Sequence, residues 1–290
     1  MELWQHDATG LARLAFRRAS QTLIAAALLT ASANGRAQDM STVSYAVEEG
    51  FGGGATLTIT ARLYRPSGES AVPAVIVLHG CSGLVGSIFD RAKRIAAWGY
   101  VVVVPDSFGS RSKTNVCNEP IVMPPGMRVL DVIATAEYLA TLPFVRRDRI
   151  ALIGFSHGAG TVIDALQSSL SSVGIRGGVA YYPLCIPEKQ TNVSMPLLVL
   201  IGEKDDWAPP ARCRALQEGL RAPSPANIIL YPGAYDGFDV NEPPQSVSGA
   251  DLSSQDGSVG DTVQHHIEYD PGAARDAEAR TRAFLERLLK

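Results

Sequence analysis

Near the middle of the chain stands the stretch Ile150-Ala151-Leu152-Ile153-Gly154-Phe155-Ser156-His157-Gly158-Ala159-Gly160. A short apolar run leads into the pattern Gly-x-Ser-x-Gly, and small residues with helical character follow. Between a strand and a helix this pattern predicts a nucleophile elbow, a sharp turn that exposes a serine above the sheet. Gly154 and Gly158 remove side chains that would clash in such a turn. Ser156 is therefore the candidate nucleophile, with a plain glycine-rich turn as the alternative.

Apolar runs alternate with helical patterns on both sides of this stretch. Uninterrupted apolar runs, typical of strands covered on both faces, occur at 74–78, 100–104, 178–182 and 197–201, and the strand predicted at 149–153 is apolar after Arg149. Helical patterns occur at 88–98, 127–142, 158–170, 210–221 and after Asp270-Pro271. The alternation predicts a single α/β domain over residues 38–290, built on a mostly parallel, doubly wound sheet.

The two ends of the predicted domain differ from this pattern. At the N-terminal end, residues 43–49 and 55–64 predict two strands of a hairpin, because apolar and polar residues alternate in the second of them. Residues 227–231 predict the last strand. Residues 239–264 are polar and rich in Gly, Ser and Pro, which predicts a surface loop.

Composition bounds the possible partners. The chain has 290 residues, 46% of them hydrophobic, with 26 Lys and Arg against 29 Asp and Glu. That content can bury one large core. No basic patch stands out, so nucleic acid is not an expected partner. Nothing in the sequence requires a metal or an organic cofactor, and the expected partner is a small-molecule substrate.

The N-terminal 37 residues have the pattern of a secretory signal peptide. Arg17 and Arg18 precede an apolar segment at 23–29, and small residues then allow cleavage after Ala33 or Ala37. The apolar segment is shorter than the roughly 20 residues that a membrane span needs. We therefore expect an exported protein, periplasmic or secreted, with no stable membrane span. A surface amphipathic helix is the alternative.

The loops at the carboxyl ends of parallel strands should hold the site. A serine nucleophile needs a base, and the base needs an acid to orient it. Asp205 and Asp206 follow the apolar run at 197–201; we favour Asp205, and a helix N-cap near residue 210 is the alternative role. Two backbone N–H groups should form an oxyanion hole, and we assign them to Cys81 and His157.

Taken together, these motifs resemble the dienelactone hydrolase family of the α/β-hydrolases. They are His79-Gly80-Cys81-Ser82-Gly83, Pro105-Asp106-Ser107-Phe108, Gly154-Phe155-Ser156-His157-Gly158, Gly202-Glu203-Lys204-Asp205-Asp206 and Tyr231-Pro232-Gly233-Ala234. The resemblance covers about residues 45–289 and implies the α/β-hydrolase fold. It also implies cleavage of a carboxylic ester or lactone through an acyl-serine, by a Ser–Asp–His triad in which Ser156 is the nucleophile and Asp205 the acid.

One triad position departs from the family. Where the family has its catalytic histidine, followed by Gly-Phe, this chain has Asp236 followed by Gly237 and Phe238. A carboxylate with an ordinary pKa of about 4 accepts a proton only weakly at neutral pH. Next to Asp205 it forms a like-charge pair, which raises one of the two pKa values. We expect Asp236 within hydrogen-bond reach of Ser156 or Asp205, directly or through a water.

Two further possibilities follow from this departure. His265 and His266 precede the final helix and are possible substitute bases, although such a pair can equally pack against or cap the helix. The first functional hypothesis is an exported serine hydrolase whose activity is impaired by Asp236. The alternative is a non-catalytic protein of the same fold that binds a small ligand in the former active-site pocket.

Four cysteines lie in the predicted mature part of the chain. They allow three disulfide connectivities, or can all be free. Cys81 and Cys117 follow consecutive strands that are neighbours in the expected fold, and Cys185 and Cys213 flank the loops of the next neighbouring pair. We therefore predict the bridges Cys81–Cys117 and Cys185–Cys213.

Overall fold

The computed structural model describes residues 38–290, except 50–53, 169, 191, 221–225 and 255–258. The signal peptide predicted over residues 1–37 lies outside the described residues. Its cleavage, and the export that it implies, therefore stay predictions. No helix in the described part of the chain is both long and apolar enough to cross a membrane.

An eight-stranded sheet forms the centre of the domain. Its strands are β1 (Gln38–Glu48), β2 (Thr56–Pro66), β3 (Val72–Leu78), β4 (Val101–Pro105), β5 (Val145–Phe155), β6 (Ile175–Tyr181), β7 (Leu197–Gly202) and β8 (Ala226–Tyr231). They lie in the order β1-β2-β4-β3-β5-β6-β7-β8. The first two strands form an antiparallel hairpin, β2 is antiparallel to β4, and every other neighbouring pair is parallel. This confirms the predicted fold class.

Five α-helices accompany the strands of the described chain. They are α1 (Gly86–Ala97), α2 (Val129–Ala140), α3 (His157–Leu166), α4 (Pro210–Gly219) and α5 (Pro271–Leu288). The interior strands β4 and β7 are buried along their whole length, as their uninterrupted apolar sequences require. Helix α5 begins as predicted, because the Asp270 carboxylate accepts hydrogen bonds from the N–H groups of Gly272 and Ala273.

The prediction of a surface loop over residues 239–264 was wrong. An antiparallel hairpin forms there from β9 (Gln245–Ala250) and β10 (Thr262–Ile267). Half of the twelve positions in the two strands are exposed, and only Gly249, Ala250 and His265 are buried. A strand pair with so little buried surface carries no apolar alternation, so its sequence has the composition of a loop.

Both predicted disulfides are present. The Cα atoms of Cys81 and Cys117 lie 4.8 Å apart, and those of Cys185 and Cys213 lie 5.0 Å apart. Both separations fall within the usual range of about 4.4–6.8 Å. The first bridge ties the long loop after β4 to the loop after β3, which follows the neighbouring strand of the sheet.

Candidate active site

Ser156 occupies the turn between β5 and α3, with backbone angles φ 49° and ψ −116°. A non-glycine residue at positive φ is strained, by roughly 1–3 kcal/mol, and such strain is typical of functional sites. The flanking glycines permit the turn. A Cβ atom on Gly154 would lie 2.1 Å from the carbonyl oxygen of Gly158, and one on Gly158 would lie 2.3 Å from that of Leu78. The geometry is that of the predicted elbow.

The loop after β3 packs directly against this turn. A Cβ atom on Gly80 would lie 3.6 Å from the Cβ atom of Ser156. Cys81, the next residue, lines the same cavity as Ser156 and His157. The two residues whose N–H groups were assigned to the oxyanion hole therefore border the same cavity as the serine.

Both ring nitrogens of His157 are hydrogen-bonded to other groups of the protein. Its Nδ1 lies 3.0 Å from Arg128 Nη1, and its Nε2 lies 2.7 Å from the carbonyl oxygen of Met123. Since a guanidinium only donates, Nδ1 must accept and Nε2–H must donate to the carbonyl. Burial and the charge of Arg128 lower the pKa of His157 to about 3. This imidazole is neutral and unavailable to Ser156.

Arg128 is a site residue that sequence patterns missed. It is fully buried, and Nη1 also donates to the carbonyl oxygen of His79 at 2.9 Å. One side chain thus ties the loop after β3 to His157, the first residue beyond the nucleophile. Burial lowers its pKa to about 10. An arginine next to a helical pattern is normally exposed, so no sequence signal marked it.

Asp205 lies buried in the turn after β7. Its Oδ1 accepts hydrogen bonds from the N–H groups of Trp207 at 3.0 Å and Ala208 at 2.7 Å. Its Oδ2 is buried and has no hydrogen-bond partner among the described residues. The N-cap of α4 is Pro209, so the alternative role of Asp205 as a helix cap is excluded.

Asp236 is buried and lines two cavities that both include Ser156. Its Oδ1, like Oδ2 of Asp205, has no hydrogen-bond partner in the described chain. Burial raises the pKa of Asp236 to about 7; Asp239 adds to the rise, and the N–H of Gly237 opposes it. Burial, and secondarily the charge of Asp236, raise the pKa of Asp205 well above its usual range.

The direct contact expected for Asp236 is not formed. Among the described residues, no hydrogen bond joins its carboxyl group to Ser156 or to Asp205. An aspartate is shorter than a histidine, so it leaves a gap at this position. The water-mediated form of the expectation stays a prediction.

A buried ion pair holds the backbone that follows Asp236. Arg91 of α1 donates from Nε and Nη2 to the two carboxylate oxygens of Asp239, at 2.7 and 2.6 Å. Nη2 also donates to the hydroxyl of Tyr182 at 2.6 Å, and that hydroxyl donates to Asp239 at 2.9 Å. Nε and Nη2 of Arg91 are thus committed to this ion pair, although Arg91 lines one of the two cavities.

The two histidines before the final helix are engaged elsewhere. His265 is buried and stacked on Trp207, with ring centroids 4.5 Å apart and planes 4° apart, and its Nε2 lies 3.2 Å from the carbonyl oxygen of Ala250. His266 Nε2 lies 2.7 Å from Glu268. Neither residue lines the cavities that include Ser156. The structure therefore does not bring the possible substitute bases to the serine.

The two cavities meet at Ser156. Their volumes are about 390 Å³ and about 300 Å³. Five residues line both of them: Cys81, Ser156, Tyr182, Trp207 and Asp236. The nucleophile candidate thus stands between two compartments, as a group that attacks a bond joining two parts of a substrate should. Within the described residues, no cluster of three His, Cys, Asp or Glu side chains could hold a metal ion.

Comparison with known proteins gives consistent matches. A Synechocystis sp. protein named as a carboxymethylenebutenolidase is 26% identical over 212 residues, which cover 63% of this chain and 82% of that protein. A Bradyrhizobium sp. protein named as a 2-oxo-3-(5-oxofuran-2-ylidene)propanoate lactonase is 28% identical over 161 residues, which cover 51% of this chain and 65% of that protein.

A solved structure from Klebsiella pneumoniae, described as a dienelactone hydrolase, is similar in fold. Its TM-score is 0.63 at 18% identity, and the match covers 85% of this chain and 99% of that one. The dienelactone hydrolase family itself matches residues 59–289. Since that match extends over most of the chain, the chain belongs to the dienelactone hydrolase family of the α/β-hydrolase superfamily.

Proposed function

We propose that this chain is an exported serine hydrolase that cleaves a carboxylic ester or lactone through an acyl-serine intermediate, with Asp236 in the role of the base. The observation that supports it most is the shared position of Ser156 and Asp236 on the same two cavities. The name of the Bradyrhizobium relative, a lactonase, supports the reaction class.

The nucleophile and the oxyanion hole act first in the proposed reaction. Ser156 Oγ attacks the carbonyl carbon of the substrate, and the C=O electron pair moves to the oxygen. The N–H groups of Cys81 and His157 would then hold this oxyanion, since both residues line the same cavity as Ser156. Fixed donors of this kind act without reorganisation and are worth about 10²–10³ in rate for each donor.

Asp236 moves the proton in this proposal. As a carboxylate it receives the Ser156 hydroxyl proton, and as a carboxylic acid it returns that proton to the leaving alkoxide when the C–O bond breaks. A water then attacks the acyl-serine and passes its proton along the same route. The pKa of about 7 makes Asp236 a far better base than an exposed aspartate, because both protonation states are populated near neutral pH.

Asp205 has an unusual role in this account. In an ordinary triad the acid is an anion that orients the imidazole. Here burial, and secondarily the charge of Asp236, raise the pKa of Asp205 well above its usual range. We propose that Asp205 therefore stays protonated while Asp236 ionises, and that its hydroxyl donates to the Asp236 carboxylate through a water, since no direct hydrogen bond joins the two groups. The buried pair of Asp205 and Asp236 then carries one negative charge instead of two.

Export is part of the proposal. It rests on the predicted signal peptide together with the two disulfides, since disulfides persist in oxidising compartments. Expression of the full chain in a bacterial host, followed by cell fractionation and N-terminal sequencing, tests this part. Cleavage after Ala33 or Ala37 with recovery outside the cytoplasm is expected, and an uncleaved cytoplasmic protein would contradict it.

The test of the reaction is trapping of the acyl-serine. Purified protein is mixed with p-nitrophenyl butyrate, quenched with acid and digested for peptide mass spectrometry. A butyryl group on the peptide that contains Ser156, absent from Ser156→Ala, is expected. Ester turnover without that adduct and unaffected by Ser156→Ala would rule the mechanism out.

A further inference from the structure

The two cavities at Ser156 differ in chemical character. We call the larger one the apolar lobe, because most of its wall is apolar, with Pro120, Ile121, Pro125, Leu184, Ile186 and Leu252 among the lining residues. Its volume of about 390 Å³ lies within the range of about 300–1,000 Å³ that is usual for small-molecule pockets. A substrate group held there must be largely apolar to gain from burial.

The charges around the two cavities are unfavourable for an anion. Asp236 lines both of them, and Asp164 lines the apolar lobe. Burial raises the pKa of Asp164, opposed by a hydrogen bond from Gln190 at 3.2 Å and by Lys189. Lys189 is exposed, so its ammonium group can remain hydrated.

The positive charge of the one arginine in the described lining is already paired. Arg91 is the one arginine among the described residues that line the two cavities, and its Nε and Nη2 donate to the carboxylate of Asp239. The undescribed residues 255–258, adjacent to Val259 of the apolar lobe, contain no Lys or Arg in their sequence. A carboxylate on the substrate would thus be buried beside acids and would have to compete with Asp239 for Arg91.

We infer that the substrate is an uncharged ester or lactone with a bulky apolar group in the apolar lobe, and that carboxylate-bearing substrates are excluded. This inference rests on the proposed function and specifies its substrate class. It follows from the apolar wall, from Asp236 and Asp164 in the lining, and from the ion pair between Arg91 and Asp239.

The experiment compares esters that differ only at the far end of the acyl chain. They are p-nitrophenyl hexanoate, its analogue p-nitrophenyl hydrogen adipate with a terminal carboxylate, and p-nitrophenyl methyl adipate as the neutral control of similar length. We expect kcat/KM for both neutral esters to exceed that for the hydrogen adipate by about 30-fold or more. Equal or higher kcat/KM for the hydrogen adipate would overturn the inference.

A variant pair tests the lobe itself. Leu184→Lys introduces a cation into the half-buried wall, and Leu184→Gln is the neutral control of similar length. We expect the lysine variant to raise the ratio of kcat/KM for the hydrogen adipate over the hexanoate by about tenfold, and the glutamine variant by less than about twofold. Equal ratios in both variants would show that the acyl chain does not occupy this lobe.

Binding separates this inference from the proposed function. Hexanophenone is a neutral ketone that no ester hydrolase cleaves, and 6-oxo-6-phenylhexanoate is its carboxylate analogue. If the protein cleaves no ester, calorimetric titration of the full chain with both compounds still decides the inference. Binding of hexanophenone alone supports the uncharged apolar ligand while the hydrolase proposal fails. Tighter binding of the carboxylate overturns the ligand class.

Discussion

Burial, together with the charge of Asp236, raises the pKa of Asp205, and each of these two buried carboxyl groups has one oxygen that no donor in the described chain reaches. In the family pattern an imidazole stands between the acid and the serine. Replacing it by a carboxyl group removes that donor and adds a second acid. The pair therefore determines how the site titrates, which gives the first three predictions.

The rate should depend on the ionisation of Asp236. Because the base acts as a carboxylate, kcat/KM for p-nitrophenyl butyrate should rise with pH and level off above an apparent pKa of about 7. Measurement between pH 5 and pH 9 checks this. Asp236→Asn should abolish the rise, and a wild-type profile that levels off near pH 4 would contradict the assignment.

The stability of the fold should respond to the same group. A carboxyl group whose pKa rises from 3.8 to about 7 on folding favours the protonated folded state. Its contribution to stability is complete below pH 4 and is lost as the pH rises through 7. Asp236→Asn stays neutral and does not lose this contribution. The free energy of unfolding at pH 8 minus that at pH 4 should therefore be about 1–4 kcal/mol more positive in Asp236→Asn than in wild type. Urea unfolding at both pH values measures this, and an equal effect at both would contradict it.

Asp205→Asn tests whether Asp205 acts as a neutral donor. The amide keeps the oxygen that accepts from Trp207 and Ala208, and its NH₂ group donates where the protonated Oδ2 would. We expect kcat to stay within about tenfold of wild type, whereas the same change in an ordinary triad costs about 10⁴. A loss of that size in this chain would show that Asp205 acts as an anion.

The background variant Asp236→His provides the matched control. With an imidazole restored at position 236, an anionic Asp205 is needed to orient it. Asp205→Asn in this background should therefore lower kcat by about 10² or more. The same substitution is thus expected to be mild in one context and severe in the other.

Arg128 should act on the rate through the two segments that it joins. Arg128→Met removes the hydrogen bonds to the His79 carbonyl and to His157 while leaving a buried apolar side chain. We expect kcat for p-nitrophenyl butyrate to fall by about tenfold, with KM changed less than about threefold. Thr281→Val, which removes a buried hydrogen bond to Tyr181 between two residues that line neither cavity, is the control for general destabilisation. Equal losses in both variants would remove the positioning role.

Much of the fold was predictable because its signals are local. The elbow glycines, the apolar runs of the buried strands and the N-cap at Asp270 are each determined by neighbouring residues, and all three are found as predicted. The β9–β10 hairpin was missed because few of its positions are buried. Their pairing depends on tertiary contacts, such as the stacking of His265 on Trp207, rather than on sequence periodicity.

The candidate site was predictable in part. The residues around Ser156 lie where the motifs predicted, because each follows a strand of the sheet. The role of Arg128 and the ion pair between Arg91 and Asp239 were not predictable, since both depend on partners far away in sequence. The same holds for His265 and His266, whose proximity to the last helix in sequence does not bring them to the serine.

The central claim is that Ser156 works with a carboxyl base at position 236, and one series of kcat/KM values for p-nitrophenyl butyrate tests it. We expect Ser156→Ala to be inactive and Asp236→Ala to be about 10² below wild type. Asp236→His should be about 10² or more above wild type, because the longer imidazole can reach the serine and titrates near neutral pH. An Asp236→Ala variant as fast as wild type, with activity lost instead in His265→Ala or His266→Ala, would contradict the account.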